Sequence, residues 1–89
     1  MGNNKELIEL EHIARVATFA ALESYEPVPE AWRTNLTLGT VVENDFRTFE
    51  LYVPGARPQD AITISSARVH RETKDVEVVI TNLAKRVSA

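Results

Sequence analysis

The chain has 89 residues, 44% of them hydrophobic, with a single Trp, which is enough for one domain with one packed core and too apolar for a disordered chain. It has no cysteine and two histidines, which excludes disulfides, thiolate metal sites, CxxC redox chemistry and a cysteine nucleophile, so no metal and no cofactor are expected. The formal net charge is −3, with acids early (Glu6, Glu9, Glu11, Glu23) and bases later (Arg68, Arg71, Lys74, Arg86); this asymmetry favours a protein partner or a second copy over general nucleic-acid binding.

The opening Met-Gly-Asn-Asn-Lys-Glu lacks the apolar run of a signal peptide, and no segment approaches bilayer length, so the expectation is a cytoplasmic protein with no membrane span. Glu6 stands where a myristoylation motif at Gly2 would need Ser or Thr. Asn3 followed by Glu6 has the spacing of a capping box and predicts a helix over about 4–25. Leu10, Ile13, Ala17 and Ala20, widened by Ala14, Val16 and Ala21, give it a broad apolar face. Ala14, Ala17 and Ala21 mark the expected line of closest approach to a sheet, and Glu11 with Arg15 forms an i, i+4 pair on the solvent side. Pro27 must end the helix. Pro29 suits the first position of a short turn through Ala31 and Trp32, and Trp32 is expected to close one end of the core.

From Thr34 the apolar period changes to two. Strands are predicted over about 34–43, 46–53, 61–71 and 76–83, separated by turns at Asn44-Asp45, Pro54-Gly55 and Thr73-Lys74-Asp75. Ile62 and Ile64 are out of phase with Ala67 and Val69, which calls for a one-residue bulge, placed at Ser65-Ser66. In the last strand Val76, Val78 and Ile80 share one face, while Val79 and Leu83 share the other. A strand apolar on both faces is expected to be central in its sheet or covered on its second face. The tail from Ala84 to Ala89 is expected to fray. The fold class that results is a single α+β domain over 1–89, one long N-terminal helix packed on a four-stranded antiparallel meander.

The chemistry-bearing residues do not assemble into a catalytic motif. His12 and His70 lack a convergent partner set. Glu43, Asp45 and Glu50 flank a turn, where acidic residues serve local backbone hydrogen bonds. Ser65-Ser66 lacks a glycine elbow, Gly39 and Gly55 do not make a phosphate loop, and the glycosylation sequon at Asn35 is idle without secretion. The chain is therefore read as non-enzymatic. The expected contact surface is the sheet face opposite the helix: Val41, Phe46, Tyr52 and Val79 for apolar contact, with Glu50, Arg68 and Arg71 as a polar rim. One alternative is a small-molecule or catalytic pocket between helix and curved sheet, lined by Trp32, Phe49 and His70. Another is a weak nucleic-acid site on the last hairpin, where Arg68, His70, Arg71 and Lys74 gather, although more positive charge and paired aromatics would be expected of one.

A helix followed by a four-stranded meander resembles the cystatin-like group of folds. Within it, Phe49-Glu50-Leu51-Tyr52-Val53-Pro54-Gly55 and the run from Ala67 to Val79 look like the strand-turn-strand texture of the small N-terminal domains of copper amine oxidases, over about 7–83. The resemblance implies a fold and an accessory role. The copper histidines and quinone-forming tyrosine of those enzymes belong to a separate catalytic domain, so no functional residue carries over. Cystatin inhibitors use a Gln-Val-Val-Ala-Gly-like hairpin loop that this chain lacks, which speaks against protease inhibition.

Overall fold

The computed structural model describes residues 3–86 of the chain. Helix α1 (Asn3–Leu22) is followed by a single helical turn, α2 (Glu30–Arg33), and by strands β1 (Thr37–Val42), β2 (Phe46–Val53), β3 (Ile62–His70) and β4 (Val76–Ile80). The strands form one antiparallel sheet in the order β1-β2-β3-β4, the meander that the change of period predicts. No helix of the described residues is long and apolar enough to cross a membrane.

Each strand puts alternate residues on the side that α1 covers. Across the sheet these inner positions fall in rows: Val42–Arg47–Val69–Val76, then Thr40–Phe49–Ala67–Val78, then Leu38–Leu51–Ser65–Ile80. The middle row meets Leu10 and Ala14 of α1, and with Val69 these residues form the core, flanked by Ile13 and Val78. Ala14 is buried, as the alanine line requires, whereas Ala17 and Ala21 are half-buried and Ala20 and Val16 are exposed. The short side chains of Ala14 and Ala67 leave room for Leu10 and Phe49 between helix and sheet.

The predicted bulge exists and lies one residue earlier than placed. The register shifts opposite Leu51 and Tyr52, so that Ser65 pairs with Leu51 while Thr63 pairs with Tyr52. Ile64 is the extra residue, and Ile64 and Ser65, consecutive in the chain, are both buried. Two neighbours on one face are what a bulge produces.

Several boundaries move for reasons outside the local pattern. Helix α1 stops at Leu22, ahead of the proline, and Tyr25 instead forms an isolated antiparallel bridge with Lys85. The Glu26 amide donates to the Ala84 carbonyl at 2.7 Å and the Arg86 amide to the Ser24 carbonyl at 2.9 Å. Residues 84–86 are thus tied to the end of the helix and not frayed; 87–89 lie outside the described residues. The capping box rests on the Asn3 side chain, which also lies outside them, and the carboxylate of Glu6 is committed elsewhere. Strand β4 ends at Ile80, since Asn82 takes a left-handed conformation (φ 61°) and its side-chain Nδ2 donates to the Thr63 carbonyl at 2.7 Å. Pro54-Gly55 starts a longer connection with a 3-10 turn at Pro58–Asp60. Gly55 is required there by close approach, because a Cβ on it would sit 2.6 Å from the Asp60 Cβ and 2.8 Å from the Asp60 carbonyl carbon.

Strand β4 is at the edge of the sheet and not central. Its second apolar face reduces to Val79, exposed beside Glu77, and Leu83 falls beyond the strand.

Candidate functional site

Rows on the outer face follow from the same register. Val41, Thr48, Arg68 and Glu77 form one row, Gly39, Glu50, Ser66 and Val79 the next, Thr37, Tyr52 and Thr63 a third, and Phe46 pairs with His70 at the end. The alternation therefore brings Val41, Phe46, Glu50, Tyr52, Arg68 and Val79 onto one surface, and α1 lies on the other side of the sheet. Two of its aromatic rings are held in place. The Arg68 guanidinium lies 3.6 Å above the Phe46 ring, and His70 meets the same ring edge-on at 4.9 Å. The Tyr52 ring lies over Gly39, where an added Cβ would come within 3.1 Å of it.

Arg71 does not join this surface. It follows β3 on the helix side and makes a two-pronged contact with Glu6 of α1, Nε to Oε1 at 2.9 Å and Nη2 to Oε2 at 3.4 Å. The hydrogen bond from Arg71 holds the Glu6 carboxyl below its usual range, against the opposing effect of desolvation, and Glu6 in turn raises Arg71. Lys74 reaches Glu9 of α1 at 3.2 Å and donates to the Arg71 carbonyl at 2.8 Å, while Arg68 sits 3.9 Å from Glu43. Each cation of the last hairpin thus faces a carboxylate. The positive patch that a phosphate backbone would need is matched internally.

His70 has a structural task in that hairpin. Its Nδ1 accepts the backbone N–H groups of Glu72 at 3.2 Å and Thr73 at 3.3 Å, which shapes the turn through Lys74 (φ 66°) into β4. His12 is exposed on α1, on the far side of the sheet from the outer face. Among the described residues no group of His, Asp and Glu is arranged to hold a metal ion. No buried side-chain nitrogen or oxygen among them lacks a hydrogen-bond partner.

On the inner face there is a cleft of about 140 Å³ between α1 and the β1–β2 side of the sheet, lined by Ala14, Thr18, Phe19 and Leu22 and by Leu38, Phe49, Leu51 and Ser65, with the Glu11–Arg15 ion pair at its rim. Of the expected pocket lining it includes Phe49 alone. His70 is on the outer face, and Trp32 is half-buried on α2 away from the cleft. The structure does not bring these three together.

Comparison with family models, curated proteins and solved structures returned no match.

The sequence signal for the outer face was strand alternation, which Arg71 escapes because it lies past the strand end. The inner cleft gave no signal in the sequence, since Leu38, Leu51 and Leu22 fit a core pattern equally well. Only the lateral position of α1 decides that they line an opening.

Proposed function

We propose that the protein is a non-enzymatic interaction domain that docks on a partner protein through the sheet face opposite α1. The observation that supports this reading is the outer face itself: a surface with no covering element that carries Val41, Val79, the Tyr52 plate and the Arg68–Phe46–His70 stack. Aromatic and arginine side chains already fixed by intramolecular contacts lose little freedom on binding, and such residues dominate interface energetics. Glu50 and Glu77 beside Arg68 supply both charge signs for a rim. The helix-then-meander order keeps the cystatin-like resemblance as part of the same proposal, with an accessory role and no assigned residues.

A small-molecule pocket finds less support. The inner cleft is well below the roughly 300 Å³ at which ligand pockets begin. The nucleic-acid reading loses the unpaired cations it depends on.

Capture from the native host with wild type and with the Tyr52→Glu, Val79→Lys variant tests the proposal. Wild type is expected to retain a specific protein that the double variant loses while keeping its circular dichroism and cooperative melt. Equal retention by both proteins moves the contact to another surface, and no specific retention by wild type removes the reading.

A further inference from the structure

A four-stranded sheet is about 19 Å wide, and an α-helix needs about 10 Å, so one face of this sheet has room for two helices side by side. α1 takes one of the two places. It lies over β3 and β4 and reaches only the near side of β2. The other place is open, and its floor carries Leu38, 38% exposed, and Val42, 65% exposed, on the inner face of β1, with Leu51 half-buried beside Leu38, Thr40 between the two and Arg47 beside Val42.

The chain also carries a helix suited to that place. Opposite its own buried line, α1 exposes Ile8 and Phe19, each 67% accessible, one position above the other on the helix surface, with Val16 to the side. Leu7, Thr18 and Leu22 line the flank toward β1. Lys5, His12 and Glu23 share the outward side with Ile8 and Phe19, Glu9 lies beside them, and the Glu11–Arg15 pair lies on the β1 flank. The helix thus exposes an apolar row of Ile8 and Phe19 set among charged side chains, with no element of the same copy over it.

The molecular surface has the matching surplus. A 10.0 kDa monomer is expected to expose about 5,200 Å², and this chain exposes 6314 Å². Its radius of gyration is 13.9 Å where about 12 Å is expected, and it is only 18 Å thick. The excess of about 1,100 Å² covers the roughly 800 Å² that each partner gives to a standard interface.

We propose that the vacant inner half of the sheet is filled by α1 of a second copy of this chain. A two-fold axis running between two parallel α1 helices produces a sheet, two helices and a sheet in three layers, and each helix packs on its own β3–β4 and on the other copy's β1–β2. The direction of α1 sets the register. Its start is pinned near the β3–β4 turn by Glu6–Arg71 and Glu9–Lys74, and Phe19 and Leu22 lie near Leu38, so Ile8 falls against Val42 of the second copy and Phe19 against its Leu38. The contact is isologous and closes at two copies. Both outer faces stay free, so this inference stands apart from the partner-docking proposal.

Sedimentation of the wild type is expected to give a dimer, and Val42→Lys and Phe19→Lys are each expected to raise its dissociation constant by about 100-fold or more. Both positions are exposed within one copy, so the fold persists. Val79→Lys and Tyr52→Glu, on the outer face, are expected to leave the dimer intact. Because the chain has no native cysteine, a mixture of Ile8→Cys and Val42→Cys proteins should oxidise to a cross-linked pair, whereas Ile8→Cys with Val79→Cys should not. A wild type that stays monomeric at millimolar concentration overturns the proposal. So does a dimer that survives Val42→Lys and Phe19→Lys, or one that Val79→Lys dissociates.

Discussion

The two halves of the sheet share strand geometry, alternation and composition, yet they differ in what holds them. On β3 and β4 the inner residues Ala67, Val69 and Val78 pack under Leu10 and Ala14, and two ion pairs fasten the helix start to the adjoining turn. On β1 the inner residues Leu38 and Val42 are open to solvent past the edge of the helix. Apolar pattern alone thus does not make a core. The position of one helix across the sheet converts half of a hydrophobic face into stability and leaves the other half available for association.

Phe49 stands at the border of the two halves and is buried by both the helix and the sheet. Phe49→Ala is expected to cost about 3–5 kcal/mol by loss of transfer energy and creation of a cavity. Leu38→Ala, measured in dilute solution, should cost about 1 kcal/mol or less. Urea titrations of the two variants decide whether the halves differ as described; similar midpoints would erase the distinction.

The next contrast adds volume. Ala14→Leu forces extra methylenes into the close helix–sheet contact and is expected to destabilise by about 1–3 kcal/mol. Thr18→Leu, one turn along on the side of the open cleft, is expected to change stability by no more than about 0.5 kcal/mol. Equal losses in thermal melts would mean that the cleft is closed in solution.

The smallest effect belongs to the ion pair on the covered half. Glu6 is held below its usual range in the folded chain by the hydrogen bond from Arg71, so its contribution is present at neutral pH and is lost as pH falls through the folded value, where the carboxyl takes up its proton. The stability gap between wild type and Glu6→Gln should therefore be open at neutral pH and close in acid. A gap that stays constant across the carboxylate range would show that Glu6 is not paired with Arg71.

Much of the fold was legible because it is written in short-range periods. Strand β2 begins and ends where alternation predicts, at Phe46 and Val53. The need for a bulge followed from the phase conflict between Ile64 and Ala67. What was not legible depends on contacts far apart in sequence. Residues 84–86 read as a frayed tail because nothing local reveals the bridge from Lys85 to Tyr25. Strand β4 reads as central or covered on its second face because Val79 counts as apolar wherever the strand lies in the sheet, and the structure puts it at the edge. Alternation alone places Val41, Phe46, Glu50, Tyr52, Arg68 and Val79 on the outer face, as the register shows, whereas Arg71 lies off it, held by Glu6, 65 positions away.

The bulge at Ile64 acts as a phase converter within β3. Upstream of it even-numbered residues face α1, and downstream of it odd-numbered ones do. Without the bulge, strict alternation back from inward-facing Ser65 would turn Ile64 and Ile62 outward and Thr63 inward, so a threonine would stand beneath the helix end where two isoleucines now do. The strand has in effect two reading frames, and one extra residue joins them into a single continuous core.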